Sequence, residues 1–270
     1  MNKSVNNSLS IPPWRGARGV LLCIVCLIIQ SCGSIRTSLF SPLPDRESLS
    51  VITSIQEKNS SLLSFKGIGK IELVRGEGAF IARTAWMGLY PDRFRMEILA
   101  MSGQPLISLS AVQDHFYYLS HTDSTYFEKN APGVTLEELS SIPVKIEDIM
   151  EFLIGRVPIR EHATSSIQRS DSDDGYIVIL EENWTGITEK IYLDEKKTKI
   201  YKVEIFGITG ALCYRAELTG EIMIDGFSLP SRVILSNESG DSVQWRIDRY
   251  FANVPVEHSM FLIPPPEGKE

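Results

Sequence analysis

Hydrophobic positions first recur at helical spacing along this chain and then at every second residue. Leu49, Ile52, Ile55, Leu62 and Leu63 are separated by Arg46, Glu47, Lys58 and Asn59, which predicts an amphipathic helix over 46–62. From Phe65 the period is two. Phe65, Gly67, Gly69, Ile71 and Leu73 alternate with Lys66, Ile68, Lys70, Glu72 and Val74, the pattern of a half-buried strand. Arg75-Gly76-Glu77-Gly78 supplies a turn into a second arm over 79–87. Phe94, Met96 and Ile98 alternate with Arg93, Arg95 and Glu97 in a third strand, and further strands are predicted near 105–112, 114–120 and 125–128.

The alternation is then interrupted. Residues 135–139 and 145–154 have helical spacing, carried by Leu136, Leu139, Ile146, Ile149, Met150 and Leu153, with Pro143 between and Gly155 and Pro158 after. Alternation resumes at 176–180, 187–193, 199–206, 211–218, 232–235 and 243–250. About eleven strands with little helix, no internal repeat and no second helical domain predict a mainly β protein: one curved antiparallel sheet with a helical insertion between its two halves. Gly67 and Gly69 share a face with Ile71, and removing side-chain bulk there suits either close approach of another group or room for a guest.

Composition adds an asymmetry. The 270 residues carry a formal charge of −7, but the first 31 hold Lys3, Arg15 and Arg18 and no acidic residue. The remainder therefore has 24 basic against 34 acidic groups, a formal −10. Nucleic acid is not an expected partner, because duplex affinity rests on clustered cations that neutralise phosphates. The basic start runs into ten apolar residues, 20–29, the layout of a secretory leader and too short for the roughly 20 residues a membrane span needs.

Ile29-Gln30-Ser31-Cys32-Gly33 resembles the lipobox of bacterial lipoproteins. The resemblance implies cleavage before Cys32, thioether diacylation of its sulfur and acylation of the new amino group, so that three acyl chains anchor the protein. Gly33 in place of Asp implies delivery to the outer membrane. The expected organisation is a leader over 1–31, a lipidated Ser- and Pro-rich tether over 32–45, a folded domain over 46–266 and a tail over 267–270. Cys23 and Cys26 leave with the leader, so Cys213 is the remaining thiol, with no disulfide to form and a packed position in an alternating stretch.

A helix followed by Phe65-Lys66-Gly67-Ile68-Gly69-Lys70-Ile71 and hairpins resembles the LolA/LolB superfamily of bacterial lipoprotein carriers. Residues 134–139, Ile142-Pro143 and 149–158 are similar to the central helix pair of its anchored LolB branch, and 256–268 to its terminal strand and Pro-Gly tail. The resemblance implies an unclosed barrel of about eleven strands, capped by helices over a cavity for acyl chains. On that basis the lining is Phe65, Ile71, Phe80, Phe94, Met96, Ile98, Ile149, Met150, Leu153, Val203 and Trp245, although packing of a filled core suits the same side chains. Leu99 to Leu106 matches the loop that touches the bilayer in the LolB branch, with Met101 and Leu106 in that role. The implied cargo is lipids or lipidated proteins, received by a monomer on the periplasmic face of the outer membrane from a soluble LolA-like carrier. The alternatives are a structural envelope lipoprotein and a lipid-sensing regulator of the same fold.

Enzymatic chemistry finds no foothold. His115, His121, His162 and His258 are scattered without a metal-binding spacing, and there is no cysteine cluster or serine elbow. Gly67-Ile68-Gly69 lacks the third glycine of a dinucleotide loop. Asp171, Asp173, Asp174 and Gly175 resemble part of a calcium loop without its closing Glu. Glu137-Glu138 and Glu181-Glu182 are adjacent, as on solvated faces. No cofactor, metal or catalytic residue is expected.

Overall fold

The structure is a computed structural model and describes residues 45–130, 135–171, 174–184 and 186–266. The leader, Cys32, nearly all of the tether, Asp173 and the tail at 267–270 lie outside the described residues. Among the described residues, no helix is long and apolar enough to cross a membrane.

Helix α1, Arg46–Glu57, precedes six strands in meander: β1 Ser64–Arg75, β2 Gly78–Leu89, β3 Arg93–Leu99, β4 Pro105–Val112, β5 His115–Ser120 and β6 Tyr126–Asn130. Two short helices follow, α2 Glu137–Ser140 and α3 Ile146–Leu153. The second half contains β7 Thr164–Arg169, β8 Tyr176–Glu182, β9 Gly186–Leu193, β10 Ile200–Phe206 and β11 Leu212–Thr219. A small hairpin, β12 Ile222–Ile224 and β13 Phe227–Leu229, leads to β14 Arg232–Ser236, β15 Ser242–Ala252 and a 3₁₀ turn at His258–Phe261.

Among the described residues, thirteen strands form one sheet in the order β6-β5-β4-β3-β2-β1-β15-β14-β11-β10-β9-β8-β7. Every pairing is antiparallel, and the edges β6 and β7 do not pair with each other, so the curved sheet is unclosed. The count exceeds the expected eleven partly because β7 is invisible to a hydrophobic pattern. Its sequence is Thr-Ser-Ser-Ile-Gln-Arg, with only Ser165 deeply buried. It is held by β8 and by the start of α1, where the Asp45 N–H donates to the Ser165 carbonyl at 3.3 Å and the hydroxyls of Ser48 and Ser165 meet at 2.8 Å.

α1 stops five residues short of its predicted end because Lys58 leaves helical geometry and Asn59 adopts a left-handed conformation (φ 52°). The Asn59 amide then donates to the carbonyls of Ile154 and Ser228, each at 2.8 Å, fixing the helix end to the cap and to the small hairpin. The terminal segment also departs from expectation. Residues 256–266 form no strand; three consecutive prolines at 264–266 lack the N–H groups a ladder needs. Instead the 3₁₀ turn lies across the outer face of β3 and β4, burying Phe261 and Ile263, with Arg95 donating to the Met260 carbonyl at 2.9 Å and Ser110 to the Phe261 carbonyl.

Register explains the glycines of the first strand. Gly67 pairs with Trp86 and Phe65 with Gly88, so each aromatic ring faces a glycine across the strand pair. A Cβ at Gly67 would overlap the Trp86 ring, and one at Gly88 would overlap the Phe65 ring. At Gly69 a Cβ would strike the Arg246 carbonyl, beside the bulge between β1 and β15. Of the two options left open by the sequence, close packing is therefore the one realised. Phe65 is fully buried and stacks on Tyr250 at 5.9 Å.

The stretch between β6 and β7 supplies the cap. Ile146, Ile149, Met150, Phe152 and Leu153 of α3 are each at most 3% exposed, so the helix is buried on nearly all sides. Asp148, also buried, accepts from the Tyr214 hydroxyl at 2.8 Å and from the Arg160 guanidinium at 2.6 Å. The backbone N–H of Arg160 donates to Glu189 at 2.9 Å. Glu189 is fully buried and its other oxygen has no partner among the described residues, so burial pushes its carboxyl up to about 8. Cys213 is a free thiol packed against the core, and burial pushes its pKa up, which disfavours the thiolate.

Two outcomes follow from this packing. Gly67→Ala and Gly88→Ala should each destabilise the fold by about 1–3 kcal/mol, read from urea midpoints, because a core ring must move; Gly78→Ala, whose Cβ would meet only Arg75 O at 3.5 Å, should be nearly neutral. Glu189 binds its proton more tightly folded than unfolded, so the stability it contributes is complete below its ordinary value of 4.5 and is lost as pH rises to about 8. Thermal melts of Glu189→Gln should therefore lack the part of the wild-type decline that falls in this window.

Candidate functional site

Where β1 to β4 and β15 pass under α2, the concave face is incompletely filled. A cavity of about 450 Å³ remains, within the range of small-molecule sites of roughly 300–1,000 Å³. β1 contributes Ile71, Leu73 and Arg75, and β2 contributes Gly78, Ala79 and Phe80. Met96 and Ile98 come from β3, Ile107 and Leu109 from β4, and Val243 and Trp245 from β15, with Leu136 and Ser140 at α2. Strand alternation produces this lining: Ile71 and Leu73 share parity, as do Met96 and Ile98, and as do Val243 and Trp245.

The chemistry of the lining is correspondingly simple. The Ser140 hydroxyl donates to the Leu136 carbonyl at 2.8 Å and is thereby satisfied. The buried Trp245 indole N–H has no partner among the described residues. Among the described residues, Arg75 is the only ionisable side chain in the lining; it is exposed, at the end of β1, and makes no ion pair with them. Phe80, 44% exposed, stands in the wall next to solvent. The arrangement can hold an apolar chain and offer one cation to a polar end.

Of the residues expected to bind lipid, the structure brings Ile71, Phe80, Met96, Ile98 and Trp245 together in this lining. Phe65 and Phe94 lie further along β1 and β3 within filled core; Ile149, Met150 and Leu153 belong to the buried α3, and Val203 to β10. These six are core residues outside the cavity lining. Leu73, Ile107, Leu109 and Val243 were missed, although parity with their neighbours was the available signal. Leu136 and Ser140 carry no such signal, because their place depends on how α2 folds back.

Met101 is fully exposed at the β3–β4 turn and Leu106 is half-buried. Both border a second groove of about 470 Å³ on the convex side, with Lys70, Ile81, Arg83 and Leu99, and Phe80 is shared with the first cavity. A larger recess of about 760 Å³, between the end of α1, the β9–β10 turn and β13, is a charged surface feature. There Lys199 approaches Glu221 at 3.6 Å, and burial pushes the Lys58 ammonium down from its ordinary value. Among the described residues, no three His, Cys, Asp or Glu side chains assemble as a metal site.

No family model and no curated protein matches the sequence. Solved structures do match the fold. A LolA superfamily protein from Nitrosomonas europaea is 14% identical, with a TM-score of 0.56 over 80% of this chain and 97% of that one. A candidate outer membrane lipoprotein-sorting protein domain from Vibrio parahaemolyticus is 10% identical, with a TM-score of 0.55 over 80% and 96% of the two chains. A DUF1329 family protein from Desulfovibrio piger is 9% identical, with a TM-score of 0.59 over 82% and 100%. The chain has the unclosed curved-sheet fold of the LolA superfamily.

Proposed function

We propose that this LolA-like chain is a non-enzymatic, acyl-chain-binding lipoprotein of the bacterial envelope, of the LolB type, that receives lipidated proteins and inserts them into the outer membrane. The observation that carries the reading is the apolar cavity under α2, bounded by Ile71, Leu73, Met96, Ile98, Leu109 and Val243. The fold shared with a candidate lipoprotein-sorting domain supports it. Acylated Cys32 would anchor the chain to the periplasmic face of the outer membrane, and a soluble LolA-like carrier would deliver the cargo to it as a monomer.

No cofactor is needed. Moving methylenes out of water contributes about 0.8 kcal/mol each, so a ten-carbon stretch supplies roughly 8 kcal/mol before the costs of ordering it. Arg75, beside the lining and otherwise unpaired among the described residues, suits a carboxylate, phosphate or ester oxygen at the chain's polar end. Net transfer runs toward whichever protein or membrane binds the acyl chains more tightly, so direction is a difference of affinities. Met101 and Leu106 would contact the bilayer during release.

The test is titration with a fluorescent palmitoylated peptide. Gly69→Trp is unsuitable as a blocking variant, since the added side chain would collide with β15 backbone. Gly78→Trp is suitable, because Gly78 borders the cavity, is exposed, has the concave-facing parity of Phe80 on β2, and has room for a Cβ. Saturable one-to-one binding by the wild type, weakened at least about tenfold by Gly78→Trp with the circular dichroism unchanged, is the expected result. A well-folded wild type that takes up no acylated peptide overturns the reading.

A further inference from the structure

Four exposed cations stand in one line across the convex face. Arg83 on β2 pairs with Lys70 on β1, Lys70 pairs with Arg246 on β15, and Arg246 pairs with Arg232 on β14. Paired residues project to the same side of an antiparallel sheet, so these side chains form a single row spanning three inter-strand gaps, roughly 14 Å at about 4.8 Å each. The row occurs in a chain of net charge −7.

The fold gains nothing from this row. Like charges directly opposite one another on neighbouring strands are destabilising. Lysine and arginine guard exposed sheet edges, but these are four consecutive strands in the middle of a thirteen-stranded sheet. Internal neutralisation is slight: Arg246 meets Asp248 at 3.5 Å with both side chains nearly half exposed, while Lys70, Arg83 and Arg232 make no ion pair among the described residues. Glu72, the next outward position on β1, accepts a hydrogen bond from Gln244 instead.

We propose that this row, with Ile81 and Met101 beside it, is a docking face for a bilayer surface carrying anionic headgroups. A single small anion reaches one or two of the four charges, whereas a lipid surface presents phosphates along the whole row. The neighbouring apolar groups favour a membrane over other polyanions. Ile81 is 63% exposed on the same face two residues from Arg83, Met101 is fully exposed, and both border the groove that Lys70 and Arg83 flank. The inference extends the reading of the β3–β4 turn as a bilayer contact, and it is independent of what the concave cavity holds.

The test is partition of the full-length chain onto phosphatidylcholine vesicles and onto vesicles containing phosphatidylglycerol, so that contributions common to both lipids cancel. The expected result is tighter binding to the anionic vesicles. Substituting Lys70→Gln, Arg83→Gln and Arg246→Gln together should weaken that binding about a hundredfold, near fivefold per cation, and leave phosphatidylcholine binding unchanged. High salt should produce the same loss. The control Arg169→Gln with Lys196→Gln, which removes exposed cations elsewhere, should retain the lipid preference. Met101→Ser should weaken binding to both vesicle types, so a failure of the loop reading is distinguishable from a failure of this one. Circular dichroism checks the triple variant, and Arg83→Gln alone, with a fivefold effect, serves if the triple does not fold. A triple variant that keeps its preference for phosphatidylglycerol overturns the proposal. So does one that keeps it while losing salt-sensitive binding to polyglutamate, which would assign the row to an acidic protein.

Discussion

An antiparallel sheet that curves without closing exposes an apolar concave face, and this chain covers it with the segment that joins the sheet's two edges. Because β6 and β7 stand at opposite ends of the strand order, that connection has to cross the concavity, and it carries α2 and α3 as it does so. The two helices cover unequally. α3 fills its share with side chains buried on nearly all sides, fixed by Asp148 to Tyr214 and Arg160. α2 is a single four-residue turn, and the apolar cavity remains beneath it. The candidate site is thus the part of the concave face that a short helix does not fill.

The same strands are packed tightly at one end and loosely at the other. At residues 65–69 and 84–88 the rings of Phe65 and Trp86 fill the spaces left by Gly88 and Gly67. At 71–75 and 78–80 the concave face carries Ile71, Leu73 and Phe80, and there the cavity begins. The glycines act as slots for aromatic side chains of the neighbouring strand, which pins the register of β1 against β2 and so places the lining residues opposite one another. The convex face follows from that register too, since it is what aligns Arg83 with Lys70.

Much of this was legible in the sequence because a period of two reports a strand and its buried face together. Ile71, Met96, Ile98 and Trp245 were identifiable as concave-facing on that basis alone. Alternation cannot say which inward residues meet a helix and which meet open space, and Ile149, Met150, Leu153 and Val203 look the same in sequence whether they line a cavity or fill a core. β7 escaped because edge strands are held by backbone hydrogen bonds and need little apolar surface. The terminal segment misled in the opposite sense: Phe261 and Ile263 are two residues apart and both buried, yet they clamp the outer face from a 3₁₀ turn and the extended chain after it. The cationic row was out of reach because Lys70 and Arg246 become neighbours only through register.

The central claim is that the space under α2 receives an acyl chain, and the most direct measurement is site-mapped photocrosslinking. A palmitate analogue with a diazirine near its methyl end, irradiated with the wild-type protein and located by peptide mass spectrometry, should label lining residues such as Leu73, Met96, Ile98, Leu109 and Val243, in competition with unlabelled palmitate. Labelling that is absent, is not displaced by palmitate, or falls on the charged recess near Lys58 and Lys199 would contradict the account.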